Sequence, residues 1–162
     1  MITDAGEVHE PHAKQSLRLW LRMLGTTTII EKAIRSHLRI QCDSTLPRFD
    51  ALAALDRAGA LTMGELSKRL LVSNGNVTGL VNRLAENDLI KRESDPRDRR
   101  SQRVSLTAAG RTAFRRMAKE HERIIDGIFA DVSDAEMDRL LELIARLNKS
   151  VQEKVTPFTR EN

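Results

Sequence analysis

The chain has 162 residues, of which 40% are hydrophobic and 31% charged, with 8 glycines and 4 prolines. This length and composition fit one globular domain or two closely fused parts, and exclude disordered and collagen-like chains. A single cysteine excludes an intramolecular disulfide and a Cys-rich zinc site. No apolar run approaches the roughly 20 residues of a membrane helix, and the first residues lack a signal segment. We therefore expect a cytoplasmic chain with no membrane partner.

Charge and aromatic content point to duplex DNA among the nucleic acids. The net charge is +4, and residues 91–103 alone hold six basic and three acidic side chains, a density typical of segments that meet phosphates. Aromatic residues make up 3% of the chain and tyrosine is absent, which disfavours the stacking surfaces that bind single strands.

Hydrophobic periodicity predicts four helices in the first half of the chain. The first covers about 14–41, and its spacing places Trp20, Met23, Thr27 and His37 on one face. The second runs from Pro47 to residue 58, and the third covers 63–70 behind a Thr62–Glu65 capping box. The fourth covers 73–87, with Ser73 as its N-cap.

The second half is predicted to contain a β-hairpin and two further helices. Strand-like segments at 89–93 and 102–106 flank a polar run. Thr107 caps a fifth helix that carries His121 on its apolar side, and a Ser133–Glu136 capping box opens the sixth. The expected fold class is therefore mainly α (an α+β winged helix), with six helices and a small hairpin wing.

The fourth helix carries the functional signal. Its inward stripe centres between Val77 and Leu84, so polar and small residues face outward. Two helical glycines, Gly75 and Gly79, cost about 1 kcal/mol each relative to alanine, a cost that a close approach to DNA would offset. Asn82 can read adenine, Arg83 can read guanine, and Ser or Thr can bind phosphates or base edges.

The polar hairpin tip supplies a second predicted contact. Arg97, Arg99 and Arg100 can reach phosphates or enter a narrow minor groove. Asp98 would repel phosphate by itself, so we interpret it as orienting Arg100 through an ion pair.

The sequence gives little support for catalysis, and no catalytic residue, metal site or cofactor is predicted. It has no Gly-rich phosphate loop, zinc-protease motif or nucleophile elbow. Cys42 is expected to be structural, because no basic residue within two positions lowers its pKa. A thiol-based redox-sensing repressor remains one alternative function, and a helical scaffold that binds no DNA is another.

The strings Ser73-Asn-Gly-Asn-Val-Thr-Gly-Leu-Val-Asn-Arg-Leu and Asp95-Pro-Arg-Asp-Arg-Arg, the latter followed by Val104-Ser-Leu-Thr, resemble the winged helix-turn-helix of the MarR family. The resemblance covers about residues 14–152. It implies a homodimer whose helical regions, 14–45 and 108–155, mediate dimerisation, while 46–107 bind double-stranded DNA. It also implies repression at a pseudo-palindromic operator.

Site roles follow from the same resemblance. Asp98 and Arg100 match the paired wing residues of the family, with Arg97 or Arg99 as the residue entering the minor groove. The implied major-groove contacts are Ser73, Asn74, Asn76, Thr78 and Asn82, beside Gly79 and Arg83 from the helical-face analysis.

The resemblance further implies release from DNA by a small aromatic effector. The Gly75–Gly79, Thr45–Asp50 and Arg18–Arg22 strings are similar to a branch that senses hydroxycinnamoyl-CoA thioesters in aromatic catabolism. The predicted ligand-binding residues are Trp20, Met23, Thr27, His37 and His121. For the two histidines, the alternative is a buried, hydrogen-bonded structural role.

Overall fold

The computed structural model describes residues 11–94 and 102–155. In chain order the elements are α1 (His12–Cys42), α2 (Leu46–Ala58), β1 (Leu61–Thr62), α3 (Met63–Leu70), α4 (Asn74–Glu86), β2 (Ile90–Ser94), β3 (Gln102–Leu106), α5 (Ala108–Ile128) and α6 (Asp134–Val155). The chain divides between Ile124 and Ile125 into two compact units.

The predicted six helices and hairpin are confirmed, and the sheet has one strand more than predicted. β1 pairs antiparallel with β3, with Leu61 opposite Val104, so the strand order is β1-β3-β2. β2 begins at Ile90 rather than at Leu89, because the amide of Leu89 donates to the carbonyl of Leu84 at 2.9 Å and closes the end of α4.

The predicted caps at Thr62, Ser73 and Ser133 are also confirmed, whereas α1 begins at His12 and α2 at Leu46, slightly before the predicted starts. The Thr62 hydroxyl accepts from the Glu65 amide at 3.2 Å while the Glu65 carboxylate accepts from the Thr62 amide at 2.7 Å. Ser133 and Glu136 make the same reciprocal pair. Ser73 caps α4 by accepting from the Asn76 amide at 3.4 Å. These local bonds satisfy amides that a helix start leaves unpaired.

The core of the first unit lies between helices α1 to α4 and the sheet. Its fully buried side chains come from α1 to α4 and from β3, so a single apolar cluster fixes how α4 sits on the domain. They are Leu38, Leu52, Leu55, Leu66, Val77, Val81, Leu84 and Val104.

α6 makes up most of the second unit and presents apolar side chains to solvent. Leu140, Leu141, Leu143, Ile144 and Val151 are between 43% and 59% exposed. None of the helices in the described ranges combines the length and the apolar character needed to cross a bilayer.

Candidate nucleic-acid interface

α4 buries one side and leaves a polar side open, as its sequence predicts. Val77, Val81 and Leu84 have no exposed surface. All the outward positions whose side chains are described are exposed: Ser73, Gly75, Asn76, Thr78, Gly79, Asn82, Arg83 and Glu86. Asn74 is the first residue of α4, and its side chain lies outside the described part. We call these outward residues the α4 face.

The two glycines of the α4 face have open space beside them within the described part of the chain. A Cβ atom placed on Gly75 or on Gly79 has no heavy atom within 4 Å beyond the local helix backbone. Intramolecular packing therefore does not explain why these positions lack side chains. Because glycine inside a helix is destabilising, these two positions lower the helix propensity of α4 with no packing contact among the described residues in return.

The turn before α4 is fixed by bonds from α3. The hydroxyl of Ser67 donates to the carbonyl of Val72 at 2.8 Å, and the amide of Val72 donates to the carbonyl of Ser67 at 3.3 Å. Leu71 adopts a left-handed backbone conformation with φ 53° and is 92% exposed. These two hydrogen bonds connect α3 to the turn that precedes α4.

The wing strand β2 lies beside α4 and contacts its outward face. The guanidinium of Arg92 donates to the side-chain carbonyl oxygen of Asn82, and both residues are exposed. On the neighbouring position of the strand, Lys91 pairs with Glu93 at 2.8 Å. β3 is tied to the rest of the domain by Arg103, which donates to the carbonyl of Ala60 at 2.6 Å.

The predicted wing-tip contacts, Arg97, Asp98, Arg99 and Arg100, lie outside the described residues. Their phosphate or minor-groove contacts, and the ion pair between Asp98 and Arg100, therefore stay predictions.

Hydrogen bonds connect the turn that follows α4 to the start of α5. The hydroxyl of Thr107 donates to the carbonyl of Asp88 at 2.6 Å and accepts from the amide of Gly110 at 2.9 Å. A Cβ on Gly110 would lie 1.8 Å from the carbonyl oxygen of Leu89, so only glycine allows the first turn of α5 to lie this close to Leu89.

A groove of about 890 Å³ runs along one flank of α4. Gly75, Asn76, Gly79 and Arg83 line it from α4, and Arg35 and Arg48 line it from α1 and α2. Glu31 and Asp50 also line it, so the groove has both basic and acidic groups on its wall. Burial raises the pKa of the Asp50 carboxyl, while His121 and Arg35 oppose that shift.

The predicted ligand-binding residues fall into two groups. Trp20 and Met23 on α1 are 56% and 37% exposed, and Thr27 is also exposed. His37 is 17 positions beyond Trp20 on the same helix, a separation of about 25 Å at the helical rise. Within one chain, Trp20 and His37 therefore cannot line one small pocket.

Both histidines have partners inside the first unit. Nε2 of His37 lies 3.1 Å from the carboxylate of Glu120. The ring of His121 stacks on Phe49 with centroids 4.8 Å apart. These contacts join α1, α2 and α5, and they fit the structural alternative for the two residues.

Cys42 is 6% exposed. Burial raises the pKa of its thiol, Arg116 lowers it and Glu120 raises it further. A sensing thiol needs exposure and a lowered pKa, so this environment does not favour the redox-sensor alternative.

Within the described ranges, no group of three or more His, Cys, Asp and Glu side chains is arranged to hold a metal ion.

Comparisons with known proteins identify families and structures that this chain is similar to. A model of the MarR family matches residues 43–101, which span α2 to β2. The crystal structure of a MarR family transcriptional regulator from Silicibacter pomeroyi is 31% identical in sequence. It covers 88% of this chain and 99% of its own, with a TM-score of 0.75.

The chain belongs to the MarR family.

Other relatives agree with this membership. YsmB of Bacillus subtilis, an HTH-type transcriptional regulator, is 27% identical over 110 residues, covering 68% of this chain and 75% of YsmB. Sco3205, a MarR family transcriptional regulator from Streptomyces coelicolor solved in complex with DNA, shares the fold at 22% identity and a TM-score of 0.72. It covers 85% of this chain and 91% of its own. These are names of transcriptional regulators rather than of enzymes.

The structure adds one residue to the candidate interface of this MarR-family chain. Arg92 is counted in the basic segment 91–103 but has no predicted role of its own. Its contact with Asn82 joins positions ten residues apart and depends on the path of β2 beside α4. The sequence indicated this role only by placing a basic residue in the first strand of the predicted wing.

Proposed function

We propose that the chain is a homodimeric repressor that reads a pseudo-palindromic operator with its α4 face and is released by a small aromatic effector. The observation that supports DNA binding is the arrangement of the α4 face. It is a capped helix held on a buried core, with polar side chains and two open glycine positions outward. Helix-turn-helix proteins insert such a helix into the major groove.

Electrostatics favours the same partner. The exposed Arg83 on α4 and Arg92 on β2 lie next to residues that can reach base edges. Phosphate contacts give affinity and base contacts give specificity. In this proposal Ser73, Asn74, Asn76, Thr78 and Asn82 contact the major groove, while Arg97, Asp98, Arg99 and Arg100 form the minor-groove contact.

Dimerisation is supported by exposed apolar surface on each unit. Leu17, Trp20, Leu21 and Leu24 of α1 are between 47% and 58% exposed, and α6 has its own exposed apolar side chains. Soluble monomers rarely expose large contiguous apolar patches. We therefore assign 14–45 and 108–155 to dimerisation and 46–107 to DNA binding, with recognition helices about 34 Å apart.

The direct test is binding to the duplex upstream of the chain's own coding sequence, measured by fluorescence anisotropy at several salt concentrations. We expect affinity to fall steeply with salt, since several arginines displace counterions. Asn82→Ala should reduce discrimination between that duplex and a shuffled one, with an unchanged circular dichroism spectrum. A flat salt response, or equal binding to both duplexes by the wild-type chain, would reject the proposal.

The effector is tested separately. A hydroxycinnamoyl-CoA should raise the melting temperature and release DNA where the free acid does so poorly, because a ligand that prefers the native state stabilises it. Equal potency of ester and acid would reject the CoA-thioester branch, and an effect of other aromatic acids alone would select a different effector. Neither outcome bears on the proposal that the α4 face binds DNA.

A further inference from the structure

Arg92 fixes the orientation of the Asn82 side chain. An asparagine amide carries an acceptor oxygen at one end and two donor hydrogens at the other, whereas a guanidinium has donors only. Because Arg92 donates to Oδ1 of Asn82, the oxygen faces β2 and Nδ2 takes the other position. A rotation that exchanged the two ends would bring donors against donors.

The neighbouring charges leave this contact intact. Successive side chains of a strand point to opposite faces, so Lys91 and Glu93 lie on the other side of β2 from Arg92. Lys91 and Glu93 pair with each other at 2.8 Å. In register, Arg92 is opposite the fully buried Val104, which anchors the strand at this position.

Adenine presents a donor at N6 and an acceptor at N7 in the major groove, so asparagine reads it by accepting with its oxygen and donating with its nitrogen. A carbonyl oxygen has two lone pairs, so Oδ1 can accept from Arg92 and from adenine N6 together. An amide with a fixed order of acceptor and donor matches adenine in one orientation of the base pair only.

We propose that Arg92 is a positioning residue that fixes the acceptor–donor order of Asn82 and so makes it read an adenine in one strand orientation. This inference rests on the proposed DNA binding of the α4 face. It assigns Arg92 a task distinct from attraction of phosphate, and the two tasks have different signatures. A phosphate contact changes affinity for all sequences alike, whereas a positioning contact changes preference at one base pair.

The experiment is selection from a library of random duplexes, with sequencing, carried out in parallel on the wild-type chain, Arg92→Ala, Lys91→Ala and Asn82→Ala. Lys91→Ala is the matched control, because it removes one positive charge from the adjacent position of the same strand. Circular dichroism and thermal unfolding verify that each variant folds, as expected for exposed positions.

We expect the wild-type chain to enrich an adenine at one position of each half-site. Asn82→Ala and Arg92→Ala should both lose that preference, by about fivefold or more, and keep the rest of the site. A further variant that combines Asn82→Ala with Arg92→Ala should lose no more preference there than Asn82→Ala alone, since the two residues act as one unit. Lys91→Ala should lower affinity uniformly and leave the preference unchanged.

Three outcomes contradict the inference. If Arg92→Ala keeps the preference and lowers affinity for all sequences alike, Arg92 is a phosphate contact and the DNA-binding proposal stands. If Asn82→Ala keeps the wild-type preference, there is no reading by Asn82 for Arg92 to direct. If the wild-type chain enriches no sequence, the proposed function fails together with the inference.

Discussion

The open glycine at position 79 gives a prediction in which stability and DNA binding move in opposite directions. Gly79 lies inside α4 (Asn74–Glu86), and among residues 11–94 and 102–155 no heavy atom beyond the local helix lies within 4 Å of a Cβ placed there. Gly79→Ala therefore adds a methyl group without a clash in the free protein. The full difference in helix propensity, about 1 kcal/mol, should appear as added stability.

This gain should raise the melting temperature by about 2–4 °C for a chain of this size. At the DNA surface the same methyl group has an opposite effect, because it occupies the space through which the groove approaches the helix backbone. Forcing an extra methyl into a packed contact costs about 1–3 kcal/mol. Affinity for the operator should therefore fall by about 5- to 150-fold for each half-site that is distorted.

Gly25→Ala is the matched control. Gly25 is also inside a helix, α1, and a Cβ there also meets nothing within 4 Å. It is two positions from both Met23 and Thr27, so it lies on the opposite side of α1 from their shared face. Because Gly25 lies within the region assigned to dimerisation, the oligomeric state of Gly25→Ala is measured as well. Where that state matches the wild-type chain, Gly25→Ala should raise the melting temperature without changing DNA affinity.

Thermal unfolding by circular dichroism and operator binding by fluorescence anisotropy measure both effects. If Gly79→Ala stabilises the chain and leaves DNA affinity intact, the α4 face does not approach DNA closely and the reasoning is refuted. If Gly79→Ala destabilises the fold, the space at this position is not open.

Three further predictions concern the fold that supports the interface. Gly110→Ala should destabilise the chain by about 3 kcal/mol or more in urea unfolding, since its Cβ would meet the backbone of Leu89 at 1.8 Å; stability equal to wild type would contradict this close approach of α5 to Leu89. Cys42 should react slowly with a thiol reagent at neutral pH, because burial raises its pKa, and rapid labelling of the folded chain would contradict this. Bonds from the Thr62 amide and then its hydroxyl lower the pKa of Glu65, so its contribution is present at neutral pH and is lost as pH falls through the lowered value. The destabilisation by Glu65→Ala in thermal unfolding should therefore shrink on acidification, and a constant difference would contradict the capping role.

Most of the fold could be predicted from local patterns in the sequence. The caps at Thr62, Ser73 and Ser133 involve residues three positions apart, so the sequence itself contains both partners. The buried stripe of α4 follows from helical periodicity in the same way. These signals placed the α4 face on the correct side of its helix.

Contacts between distant segments could not be predicted in this way. β1 has two residues and exists only because β3 pairs with it. Gly110 looks like an ordinary helix residue until α5 meets Leu89. The contact between Arg92 and Asn82 requires the register of β2 against β3 and the position of α4, and neither is written in a local pattern.

The central claim is that the α4 face lies in the major groove of two successive half-sites, and mapping it onto DNA is its most direct test. The chain's one cysteine is buried, so Glu86→Cys at the exposed end of α4 provides a single accessible thiol for an iron chelate that cleaves nearby DNA. We expect two clusters of cuts, about one helical turn apart and centred on the operator. Cuts spread evenly along the duplex, or none above the level of unlabelled protein, would contradict the account.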